Sequence, residues 1–143
     1  LMGGILGYPL DSAIAAASLI NGQVMHAYPS LRLGFSHGGG SAMTVVNRLQ
    51  KVWQSAPQLA ATMPEAPLAT ARRFYYDTLV YEPPLLRAVK ELFGADRLMI
   101  GTDDPFPIRQ QKPGDFLREC GVSEAELPGM LGGNALRFLG VGG

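Results

Sequence analysis

In 143 residues this chain has one cysteine, one tryptophan and two histidines, and its formal charges cancel. A lone Cys120 excludes an internal disulfide. With no companion thiol or nearby histidine to activate it, it reads as a small buried hydrophobe in a reducing compartment. Basic residues do not cluster beyond Arg72-Arg73, so the electrostatic footprint of a nucleic-acid binder is missing. No apolar run approaches the roughly 18 residues of a bilayer span; the longest, Ala13 to Ala17 with Leu19 and Ile20, is alanine-rich and reads as a packed helix. No basic start followed by an apolar stretch marks a secretory signal. By elimination the expected location is cytoplasmic, with neither membrane nor nucleic acid as partner. Nucleotide fingerprints are absent too, with no GxGxxG and no Walker lysine.

What is present is a composition for burial, 47% hydrophobic and 17% charged, which fits a globular domain. Two strings stand out, LRLGFSHGGG (Leu31 to Gly40) and RLMIGTDDPF (Arg97 to Phe106). Each is a short apolar run that ends in an ionisable residue, His37 or Asp103, with glycine or proline close behind.

Asp11 or Ser12 is expected to cap a helix from Ala13 to Ala27, weakened by Gly22 and ended by Tyr28-Pro29. Leu31, Leu33 and Phe35 alternate as a strand, and Ser41 caps a helix over Ala42 to Ser55. Prolines 57, 64 and 67 mark a loop with a helical turn. Phe74 to Tyr76 is a second strand ending in Asp77. Pro83-Pro84 open a helix that Gly94 stops after Phe93, and Leu98 to Gly101 is the third strand. After a proline-rich loop, Ser123 and Glu126 form a capping box, and a last helical turn covers Ala135 to Leu139.

A helix followed by three strand–helix pairs is α/β with parallel strands. Three strands leave two open edges, and a closed (β/α)8 barrel takes eight units and about 250 residues. The expectation is therefore the C-terminal three β/α units of a TIM barrel, with residues 1–143 forming a single partial domain. A small open doubly wound sheet is the other possibility.

His37, where strand becomes loop, can exchange protons near neutrality, or can simply cap the next helix. Asp103 can bind a divalent metal or orient a water, or can cap the loop behind it. Asp104, before Pro105, reads as a turn residue, and Asp77 as the centre of a local Asx-type hydrogen bond. His26 reads as surface or capping, Trp53 as packing, and Arg48 on its own as a solvated helix arginine. Gly38 to Gly40 could hold an anion on backbone amides, a weak signal without a lysine or hydroxyl in register. A catalytic zinc takes three protein ligands and a water. With neither HxH nor His-x-x-Glu-His, these residues cannot assemble that set.

SHGGG, FYYDT, IGTDDPFP and GNALRFLG, in this order and spacing, resemble the C-terminal part of the amidohydrolase-related family. The likeness is greatest to its metal-dependent decarboxylases typified by aminocarboxymuconate-semialdehyde decarboxylase. Gly22 and Tyr28-Pro29-Ser30-Leu31-Arg32-Leu33 extend it, from about Leu6 to Leu139. The resemblance implies a (β/α)8 barrel with one divalent metal, commonly zinc and in some members manganese. It makes His37 the acid/base residue and Asp103 a metal ligand. Arg48 falls where relatives reach across a homodimer interface to hold a substrate carboxylate, and Phe106 where a residue lines the pocket. The family's HxH pair and its strand-five histidine have no counterpart here, and Asp104 stands where relatives often have tyrosine.

The implied activity is a non-oxidative decarboxylation, a carbon–carbon lyase reaction on an unsaturated or aromatic carboxylic acid, with metal-bound water and His37 moving its proton. The alternatives are hydrolysis of a lactone or amide with the same parts, or a non-catalytic barrel remnant that binds a partner through its sheet edges. The isolated segment is expected to be inactive.

Overall fold

The computed structural model describes residues 2–141. They cluster into two compact units, one comprising residues up to Arg32 with Gly39–Phe74, the other Leu33–Gly38 with the residues from Tyr75 onward.

The first unit is helical. A π-helical turn, Gly3–Gly7, runs into α1 (Tyr8–Asn21), and a short α2 (Val24–Ala27) follows. The predicted single helix from Ala13 thus begins earlier and divides. Ser12 is no cap, because its hydroxyl donates back to the Tyr8 carbonyl within the helix. The break has a tertiary cause. Gln23 sits at φ 51°; its side chain donates to the Glu65 carbonyl and accepts from the Glu65 amide. The helix Gly3–Asn21 is, by length and composition, long and apolar enough to cross a membrane. That corrects the expectation drawn from uninterrupted runs, since Gly7, Pro9, Asp11 and Ser12 break the run without breaking the helix.

α3 (Ala42–Ser55) has the predicted bounds, although Ser41 makes no side-chain cap; its amide donates to the Pro9 carbonyl at 3.2 Å. The predicted proline loop folds into α4 (Pro57–Thr62) and α5 (Pro67–Ala71), each with proline in its first turn, where a missing N–H is harmless. α1 packs on α3 and α5, burying Ala13, Ala16 and Ile20 with Val46 and Ala71. The Trp53 indole donates to the Met63 carbonyl, and His26 lies exposed at the end of α2.

The second unit holds a three-stranded parallel sheet, β1 (Gly34–Phe35), β2 (Tyr75–Asp77) and β3 (Leu98–Met99), in that order across the sheet. The strands are shorter than predicted. β3 ends where the Gly101 amide donates to the Thr78 hydroxyl in place of a main-chain carbonyl. α6 (Pro83–Phe93) has the predicted bounds, with Gly94 at φ 98°. It buries Leu86, Val89 and Phe93, and the Phe93 ring stacks on Tyr76 at 4.1 Å. The Ser123–Glu126 capping box is made in both directions. It opens a helical path that passes through a π turn, Gly129–Gly133, into α8 (Asn134–Leu139). α7 (Pro113–Glu119) was not foreseen; it buries Phe116 and Leu117, with Cys120 just beyond. Burial raises the Cys120 thiol above its ordinary pKa, as expected for an inert one.

Candidate functional site

Parallel strands carry their C-terminal ends to one edge, and there the second unit gathers its ionisable residues. Asp77 closes β2, the central strand; His37 lies two residues beyond β1 and Asp103 four beyond β3.

Beyond β1 the backbone takes four left-handed residues in succession, His37, Gly38, Gly39 and Gly40, at φ 55°, 60°, 83° and 58°. Gly38 cannot carry a side chain, because a Cβ there would lie 2.5 Å from Val80 Cγ1. Its amide donates to Asp77 Oδ1 at 2.9 Å, and the Leu79 amide donates to the same oxygen at 3.0 Å. The second bond is the local Asx-type turn expected of Asp77. The first shows that the anion reaching the Gly38 amide is the chain's own carboxylate, not a ligand.

From the other side, Gly101 leaves room for the same group: a Cβ there would stand 2.9 Å from Asp77 Cβ and 3.0 Å from Oδ2. Buried Thr78 ties the loops further, its amide donating to the Met99 carbonyl and its hydroxyl accepting from the Gly101 amide.

Asp103 is half-buried at φ 62°, and its Oδ2 accepts a hydrogen bond from the Tyr81 hydroxyl at 3.3 Å. Burial raises the Tyr81 phenol above its ordinary value, and the charge and hydrogen bond of Asp103 and the charge of Asp77 add to the shift. Tyr81 was not singled out from sequence. Its place in the loop leaving β2, just before Glu82-Pro83-Pro84, was the available signal, since such loops carry the functional groups of barrels.

The other candidates separate. Asp104 pairs with Arg109 at 3.4 Å, and its amide donates to the Thr102 hydroxyl, which suits a turn residue. Phe106 is 59% exposed, so no wall of described residues covers it. Arg48 is an exposed residue of α3 and belongs to the first unit.

Among the described residues, no three His, Cys, Asp or Glu side chains come together as a metal would require. Asp103 could supply one donor, but on their own these residues do not fit a metal ion.

The family model described as Amidohydrolase matches residues 2–141. Over 139 residues the chain is 34% identical to the 2-amino-3-carboxymuconate-6-semialdehyde decarboxylase of Dictyostelium discoideum, covering 96% of this chain and 39% of that protein. The chain thus spans about two-fifths of that relative's length. In structure it is similar to the IDCase of Metarhizium anisopliae in its apo form, with a TM-score of 0.80 and 27% identity over 96% of this chain and 41% of that one. It also matches the fold of a dihydroxybenzoic acid decarboxylase from Polaromonas sp. JS666, solved with bound manganese and the inhibitor 2-nitroresorcinol. There the TM-score is 0.73 and the identity 22%, over 90% of this chain and 39% of that one. With a match that runs through both compact units, the chain belongs to the amidohydrolase family.

Proposed function

We propose that this chain forms the C-terminal three β/α units of a (β/α)8 barrel, and that the intact enzyme is a cytoplasmic, metal-dependent, non-oxidative decarboxylase. Its substrate is an unsaturated or aromatic carboxylic acid. The observation that carries this reading is the delivery of His37, Asp77 and Asp103 to one edge by three parallel strands, where barrel enzymes do their chemistry. The Dictyostelium relative's name supports the reaction type.

In this reading Asp103 would give one carboxylate oxygen to a divalent ion, zinc or manganese, whose ligand set the described residues alone would not complete. Such an ion, when bound, stabilises negative charge as the carbon–carbon bond breaks. His37 holds the proton. When the carboxylate leaves as carbon dioxide, the electron pair stays on the former α-carbon, and the imidazole supplies the proton that quenches it. Arg48 holds a substrate carboxylate across a homodimer interface, where its guanidinium fork matches that group. Phe106 lines the pocket. Hydrolysis of a lactone or amide is the second reading, favoured by the family's description.

Carbon dioxide release against ring opening, followed on the intact enzyme, separates the two. His37→Ala should abolish turnover and leave metal content near wild type, whereas Asp103→Ala should lower both. Unchanged metal occupancy in the aspartate variant overturns its assignment.

A further inference from the structure

The three strand ends do not meet through His37 or Asp103. They meet through Asp77, which has no part in the chemistry described above. We propose that Asp77 is a positioning residue, whose carboxylate fixes the left-handed turn that presents His37 at the end of β1. This inference rests on the acid/base role proposed for His37.

Four left-handed residues in a row need something to hold them. Glycine adopts such φ values freely, but histidine does so rarely, so residue 37 keeps this conformation only where its surroundings hold it. Asp77 Oδ1 supplies the fixing contact by accepting from the amide of Gly38, the residue bonded to His37. The acceptor is itself held, because the Leu79 amide shares Oδ1 and Gly101 leaves just enough room beside Cβ and Oδ2. Charge-assisted bonds of this kind are about twice as strong as neutral ones. Both bonds use oxygen as acceptor only, so a carboxamide oxygen in the same place can make them as well.

The test uses the intact enzyme with Asp77→Ala, Asp77→Asn, Gly101→Ala and His37→Ala. For Asp77→Ala, kcat should fall on the order of 10- to 100-fold, the scale seen when a supporting hydrogen bond is removed. KM and metal content should stay near wild type, and amide exchange at Gly38 and Leu79 should quicken while exchange at Ile100, which bonds to Met130, does not. Asp77→Asn should recover most of kcat and the slow exchange. A residue that only maintains stability would show no such split of kcat from KM and no rescue confined to these amides.

Gly101→Ala removes no polar group, yet its methyl would crowd the Asp77 carboxylate, so kcat and Gly38 exchange should shift as in Asp77→Ala with metal retained. It carries the test if the alanine variant at 77 does not fold. Wild-type kcat or unchanged Gly38 exchange in both Asp77→Ala and Gly101→Ala overturns the inference. So does an Asp77→Asn enzyme as impaired as Asp77→Ala. Full turnover in His37→Ala instead overturns the acid/base reading itself, which keeps the two failures distinct.

Discussion

Asn134 is fully buried, one of very few polar side chains in the core, and replacing it with leucine should be costly. Its Nδ2 donates to the carbonyls of Ala95 and Leu98, and its Oδ1 accepts from Arg137, so one amide secures α8 to β3 and to the turn before it. Leucine has the same branched outline with bulkier ends, so no cavity forms and any overpacking adds to the cost. What remains is the Leu98 carbonyl without its donor, since the Ala95 carbonyl still accepts from the Leu98 amide. Leu98 is wholly buried, so water cannot replace the bond there. An unsatisfied buried acceptor costs about 1 to 3 kcal/mol, and the substitution should remove that much. Arg137 is exposed, and its lost bond is recovered from solvent. Against a total stability of about 5 to 15 kcal/mol this is a large fraction. Urea unfolding should show a lower midpoint at an unchanged slope. Asn134→Asp, which offers an anion where two donors are needed, should be at least as destabilised. A loss below about 1 kcal/mol for leucine, or a wild-type midpoint for aspartate, refutes the reasoning.

Glu126 should make the protein acid-sensitive. The Ser123 amide, the Lys90 ammonium and the Ser123 hydroxyl hold its carboxyl down at about 2, against an ordinary value of 4.5. A depressed carboxyl stabilises fully above its unfolded value, and that stability drains away as pH falls from about 4.5 towards 2. The side chain is 32% exposed, so solvent screening leaves about 1 kcal/mol; Glu126→Gln should lose that much at pH 7 and little of it at pH 2 by urea unfolding. Equal losses at both pH values refute it. Gly40→Ala should destabilise by more than the roughly 1 to 2 kcal/mol of a left-handed residue, because its Cβ would also lie 2.3 Å from the Pro9 carbonyl. Gly121, at φ 75° with nothing within 4 Å of a Cβ, gives the backbone effect alone, and equal losses at the two sites remove the steric argument.

Elements set by local chemistry were legible in the sequence. α6 has Pro83-Pro84 at its start and Gly94 at its stop, and both signals act within one turn of the helix end. Elements set from a distance were not. The break at Gln23 depends on the main chain of Glu65, 42 residues away, and no window along the sequence contains both. α7 hid among Pro105, Pro107 and Pro113, since proline opens a helix as readily as it fills a loop; its burial of Phe116 and Leu117 is a tertiary fact. At the site, His37 and Asp103 were legible as ionisable residues at the ends of apolar runs. Tyr81 had only its place in the loop after β2 to mark it, and its role rests on the hydroxyl lying 3.3 Å from Asp103.

The strings SHGGG, FYYDT and IGTDD come from three separate strand ends, and each looks self-contained. In the structure Gly38 of the first donates its amide to one carboxylate, Asp77 of the second, and Gly101 of the third lacks a side chain on the side facing it. A glycine that serves a turn needs only its own φ, but Gly101 has no left-handed φ to explain it. The three atoms nearest its Cβ position all belong to Asp77. The three strings are therefore a single packing unit, which is why their joint occurrence in register carries more information than any one of them. The unit's product is the backbone that presents His37.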